Sequence, residues 1–248
     1  DHRDLHSFPT RRSSDLLAAA GITVGSYKSP DSETLAKREA EQRKEAKKHA
    51  AQAKAVWNEA LPIAGTLAEA YLRGRGITCQ LPKSLRFHPN CWHGLTAKRY
   101  PAMVAAVQGN QLAAVHRTYL KTDGSGKADI EPSKMMLGAT KRAAVRLSEC
   151  RKHLVVAEGI ETALSLSSGL LSAPAGVWAA LSTSGMRGLA LPPVAGHLTI
   201  ASDGEQAGRE AANALAARAN DLGWQVTLLP APDGLDWNDV LMMKGETV

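Results

Sequence analysis

The sequence predicts an α/β domain built on a parallel, Rossmann-like sheet in its C-terminal part, preceded by a basic α+β section and a long charged helix. Three observations predict it. After Arg151 the apolar runs and amphipathic stretches alternate, which is the pattern of strands joined by crossover helices. Two of those runs, Leu154 to Ala157 and Leu198 to Ala201, deliver acid at their C-terminal ends and lead into a helical stretch. The charge also changes sign along the chain: residues 72–152 hold 15 Lys and Arg against 4 Asp and Glu, whereas residues 153–248 hold 4 against 10.

The elements follow in order. Residues 1–16 show no periodicity, and His6 to Leu16 resembles the translation of a common sequencing-adapter oligonucleotide, so this segment is read as non-native. The natural N-terminus, with any domain before Leu17, is then expected to be missing. Residues 17–60 are a linker dominated by one helix from Asp31 to about Ala60, free of Gly and Pro, with Ser32 as its N-cap. Glu33 with Lys37, Glu41 with Lys44, and Glu45 with Lys48 have the spacing of a solvated helix. Its thin apolar stripe (Leu35, Ala46, Ala50, Ala53, Trp57) predicts a connecting helix rather than a core element.

Residues 61–152 form the basic α+β section. Leu67 to Gly76 reads as a short helix ended by glycine. The runs Pro101–Gln108 and Gln111–Leu120 flank Gly109-Asn110, a hairpin turn. Ala143–Leu147 reads as a further strand. In residues 153–248 the strands are expected at Leu154–Ala157, Val177–Leu181, Leu198–Ala201 and Val226–Leu229, with helices at Ile160–Ser168 and Gln206–Leu222. On the second helix, Ala211, Leu215, Ala219 and Leu222 share one face.

At 248 residues and 44% hydrophobic content the chain can bury a sizeable core, and no apolar run approaches the roughly 20 residues that span a bilayer. Cys79, Cys91 and Cys150 are scattered and odd in number, which points to a reducing compartment, the cytoplasm. A basic section beside an acidic one suits a protein that grips a polyanion and holds a divalent cation next to it.

The chemistry sits in the two strand-end segments. Glu158 follows four apolar residues and precedes Gly159, at a place where open α/β sheets put their ligands. Asp203 and Glu205 are two apart, on one face of an extended segment, with Gly204 between them leaving room for close ligand approach. A helix-terminal acid and an Asp-Gly turn are the plain readings of these residues taken singly. Together, in order and within one alternating unit, they resemble a Toprim domain, the metal-binding module shared by DnaG-type primases, topoisomerases, OLD-type nucleases and RecR proteins.

The resemblance implies catalytic acid–base or metal-binding work for Glu158 and Mg²⁺ (or Mn²⁺) binding by Asp203 and Glu205. Glu205 stands where the family has a second Asp. Asp236-Trp-Asn-Asp239 resembles an acidic motif at the end of phage and plasmid primase-like Toprim domains, giving Asp236 and Asp239 an auxiliary role, although Asp and Asn there equally signal a helix start. Upstream, Tyr71-Leu-Arg73-Gly-Arg75-Gly, His116-Arg117-Thr-Tyr-Leu and Ser133-Lys134 are similar to segments of the DnaG-type core in mobile-element primases. The resemblance spans residues 61–241, and it implies nucleotide or nucleic-acid contacts for Arg73, Arg75, Arg117, Lys134 and Arg146.

Lys121 to Ala128 lacks the glycine spacing and the Ser/Thr of a P-loop and reads as a turn. His88, Cys91 and His93 lack a second pair at zinc-ligand spacing. The resemblance implies a DNA primase that makes short RNA primers on a single-stranded DNA template from nucleoside triphosphates, in replication of a phage or mobile element. A helicase partner would lie in another chain or a missing domain, and no membrane is involved. The rival readings are an OLD-like Toprim nuclease and a non-catalytic DNA-binding accessory.

Overall fold

A computed structural model describes residues 31–245 except Leu112, Cys150 and Arg151. The expectations for residues 1–16, for the linker before residue 31 and for Cys150 lie outside the described residues. The chain divides into two compact units, residues 1–43 and 44–248. The described part of the first unit is the opening of helix α1 (Ser32–Glu59), where Glu33–Lys37 and Glu39–Arg43 form exposed ion pairs that contribute little stability. Asp31 rather than Ser32 caps this helix, its carboxylate accepting from the Thr34 N–H at 2.7 Å.

The second unit contains the rest of α1 and two sheets. The first is an antiparallel meander of β1 (Leu61–Pro62), β2 (Leu85–His93), β3 (Lys98–Val107), β4 (Ala114–Tyr119) and β5 (Lys134–Gly138), with α2 (Leu67–Gly74) between β1 and β2. The expected hairpin is β3–β4. β2 escapes a period-2 reading because Pro89-Asn90 shifts its register between His88 and Cys91. The end of α1 is not a bare connector. Ala53 packs in a cluster with Ala60, Val104 and Val115, and the Arg86 guanidinium lies 4.3 Å from the centre of the Trp57 ring.

The second sheet runs β10–β9–β7–β8–β6. Its members are β6 (Val145–Arg146), β7 (His153–Ala157), β8 (Gly176–Ala179), β9 (His197–Ser202) and β10 (Gln225–Pro230). β7, β8, β9 and β10 are parallel, and β6 joins the edge antiparallel to β8, so the strand expected at residues 143–147 belongs to this sheet. Alternation along β7 sends Val155 and Ala157 into a core shared with Tyr71, Leu72, Leu85 and Met103 of the first layer. Leu154 and Val156 point the other way, to Trp178, Ile200 and Leu215. Both faces are covered, as a parallel sheet requires.

The connecting helices are α3 (Ile160–Ser165), continued by a widened turn at Leu166–Leu170, then α4 (Thr183–Gly188), α5 (Gln206–Asp221) and α6 (Trp237–Gly245). Ala211, Leu215 and Ala219 are buried on α5 as expected, while Leu222 is 58% exposed because the helix has ended before it. Among the described residues no helix is long and apolar enough to cross a membrane.

Candidate active site

Register decides where the acids fall. Ala157 pairs with Ala179 on β8 and with Ala201 on β9, so the three strands finish level and the next residues emerge on one edge of the sheet. Glu158 leaves β7 there, and Asp203 and Glu205 leave β9. With Asp236 and Asp239 from the start of α6, and with Thr183, they line a cleft of about 240 Å³. The structure thus brings together all five acidic residues singled out in the sequence.

Crowding of like charge governs their chemistry. Burial, then the neighbouring carboxylates of Glu158, Asp236 and Glu205, push Asp203 up to about 7. Glu158 is also raised, by burial and by Glu205, against a hydrogen bond from the Thr183 backbone. The Oδ1 atom of Asp203 is buried and has no hydrogen-bond partner. An orphaned carboxylate oxygen amid other acids fits a hard divalent cation. Among the described residues no three His, Cys, Asp or Glu side chains gather closely enough to hold an ion alone. The fit is therefore to a cation such as Mg²⁺, which takes a few carboxylates and completes its shell with water and substrate phosphates.

One detail departs from the sequence reading, and another realises one of its two alternatives. A Cβ on Gly204 would run into the carbonyl oxygen of Pro232, so this glycine admits the 232–235 loop rather than a ligand. Asp236 acts as a helix cap: its Oδ1 accepts from the N–H groups of Asn238 at 2.7 Å and Asp239 at 2.9 Å, while Asp239 Oδ2 accepts from the Asp236 N–H. Both acids still face the cleft, and their capping bonds fix the 234–239 loop beneath it.

The basic residues divide. Lys134 on β5 is near enough to lower Glu158 and Asp203. Arg75 lies 5.9 Å from the centre of the Tyr71 ring, and its carbonyl is held by the Asn238 side chain. Arg73 instead donates to the Ile77 and Cys79 carbonyls and pairs with Glu69. Arg117 is buried in the first sheet, donating to the carbonyls of Trp92 and Met136. Arg146 stacks over Trp178 at 4.4 Å and lines a different cleft, with Lys83 and Glu149.

Sequence reasoning missed Lys127 and Glu161. Lys127 lies half-buried beside Lys134 and Glu161, with its ammonium disfavoured by burial and by Lys134. It lies within the glycine-rich turn set aside as a failed P-loop. Glu161 is buried on α3, and its partners are far away in sequence.

Residues 153–247 match the Toprim domain model, and residues 47–147 match a domain of unknown function, DUF7146. No curated protein sequence matches the chain. Among solved structures, the Aquifex aeolicus primase (zinc-binding and RNA polymerase domains) is similar at 14% identity, with a TM-score of 0.52 over 94% of this chain and 64% of that one. A DNA primase domain from Pseudomonas aeruginosa is similar at 19% identity, with a TM-score of 0.46 over 79% of this chain and 75% of that one. The RNA polymerase domain of Mycobacterium tuberculosis primase DnaG gives 17%, with a TM-score of 0.46 over 80% and 79% of the two chains. The C-terminal part of this chain, residues 153–247, is a Toprim domain, set behind an α+β region in a fold shared with the Aquifex aeolicus primase.

Proposed function

We propose that this chain is the core of a primase-like nucleotidyltransferase that makes short RNA primers on single-stranded DNA in replication of a phage or mobile element. The observation that carries the reading is the acid cleft at the ends of β7 and β9, with Lys134 of the neighbouring sheet near enough to act on its acids. That arrangement suits a substrate that is itself a polyanion and arrives with a divalent cation. The fold shared with a primase over most of the chain supports the same reading, as does the surplus of basic residues before the Toprim domain.

In the reaction, a 3′-hydroxyl oxygen attacks the α-phosphate of a nucleoside triphosphate, the bond to pyrophosphate breaks, and the hydroxyl proton leaves. Asp203 and Glu205 would hold Mg²⁺, which when bound neutralises charge on the triphosphate and orients the reacting oxygens. Glu158, with its proton affinity raised, is suited to take the hydroxyl proton. Lys134, Lys127 and Arg75 offer donors to the phosphates. The Asp236–Asp239 cap keeps the floor of the cleft in place while substrates exchange.

Incubation with single-stranded DNA, Mg²⁺ and labelled ribonucleotides tests the proposal. Template-dependent oligoribonucleotides made without a primer are the expected product. Shortened DNA instead would make the same carboxylates those of a nuclease, and binding without chemistry would make the chain an accessory.

A further inference from the structure

Among the described residues Glu161 is the only buried Asp or Glu, at 4% exposure, and the reaction just outlined makes no use of it. It lies in the first turn of α3, three residues after Glu158. Its Oε1 accepts from the Tyr71 hydroxyl at 2.9 Å, and its Oε2 accepts from the Lys134 ammonium at 3.0 Å. Tyr71 comes from α2 and Lys134 from β5, so one carboxylate ties two elements of the first layer to the Toprim domain.

The surroundings leave that carboxylate to the lysines. Burial opposes its charge, but the ammoniums of Lys134 and Lys127 outweigh burial and hold it ionised. His116, buried nearby with Nδ1 unpartnered, is kept neutral by burial against the pull of Glu161. Lys134 in turn reaches electrostatically to Glu158 and Asp203. A lysine is a flexible stem with a point charge, and fixing it before substrate arrives removes an entropic cost from binding.

We propose that Glu161 is a positioning residue that tethers Lys134 at the rim of the acid cleft, where the ammonium meets the triphosphate of the incoming nucleotide. Tyr71 holds the second carboxylate oxygen in place, and Lys127 adds a second positive charge for the same polyphosphate. This role rests on the nucleotidyltransferase reading, since it names the substrate group that Lys134 receives.

Two measurements on Glu161→Gln, Lys134→Ala and the double variant test it. In primer synthesis, Glu161→Gln is expected to raise KM for the nucleoside triphosphate about tenfold with kcat within about twofold, and to add nothing in the Lys134→Ala background. In acetylation of surface amines followed by peptide mass spectrometry, Lys134 is expected to react about fivefold faster in Glu161→Gln, where its acceptor has lost its negative charge. An unchanged KM, effects that multiply in the double variant, or unchanged labelling of Lys134 would each overturn the proposal. If the wild-type protein makes no primer, the functional reading falls while the labelling result still judges the tether. Tyr71→Phe, which removes one hydroxyl, replaces Glu161→Gln should that variant not fold; faster Lys134 labelling is again expected, and unchanged labelling counts against the tether.

Discussion

Asp203 and Glu161 belong to the same Toprim domain, and both carboxylates are shielded from water, yet they titrate in opposite directions. Asp203 is surrounded by Glu158, Asp236 and Glu205 and is pushed up to about 7. Glu161 is the more deeply buried of the two, but Lys134 and Lys127 hold it below its ordinary range. Burial penalises both charges, so the company each keeps decides the outcome. One carboxylate has mostly other acids close by; the other has the Lys134 ammonium within hydrogen-bond reach.

Mutation should tell the two sites apart. The largest effect is expected at Glu158: Glu158→Gln should reduce primer synthesis about a thousandfold while leaving single-stranded DNA binding, read by fluorescence anisotropy, nearly intact. Next comes Glu161→Ala, which strands Lys134 beside a cavity and should cost about 3 kcal/mol in denaturant unfolding at pH 7. Because the folded-state affinity of Glu161 for protons is depressed, the stability it contributes is present above pH 4.5, its ordinary value, and is lost as pH falls towards 2.

Asp203→Asn should act with the opposite sign. A raised carboxylate contributes stability that is full below its ordinary value of 3.8 and is lost as pH rises through about 7. Without metal, the Asn variant should therefore be more stable than wild type at pH 8 by about 2 kcal/mol, after discounting for solvent screening, and the difference should vanish near pH 3.5. Thermal melts at the two pH values check this. The smallest effect is expected at Arg73, whose guanidinium is already occupied by the Ile77 and Cys79 carbonyls: Arg73→Ala should change nucleotide affinity less than about twofold, against about tenfold for Lys134→Ala.

How much of this was legible in the sequence follows the range of the interactions. Glu158, Asp203 and Glu205 could be read because a strand-end acid announces itself locally, through the apolar run before it and the helix after it. The helix-start meaning of Asp236 was equally local and is realised as a cap. Glu161 could not be read, since its partners lie 90 and 27 residues away and only the packing of two sheets joins them. Arg73, Arg117 and Arg146 had the right charge in the right section, but composition does not say which way a guanidinium points. Arg117 turned inward to bond carbonyls of its own sheet. Gly204 needed its role for a backbone contact with Pro232, which no spacing rule displays.

In the proposed function the acid cleft takes up a divalent cation, and its crowded carboxylates give up protons as it does. Calorimetric titration of Mn²⁺ into the protein at pH 6.5, in two buffers of different ionisation enthalpy, tests it most directly. Saturable binding with net proton release is expected, with both lost in Asp203→Asn. Binding of Mn²⁺ by Asp203→Asn equal to that of wild type, or binding with no proton release, would contradict it.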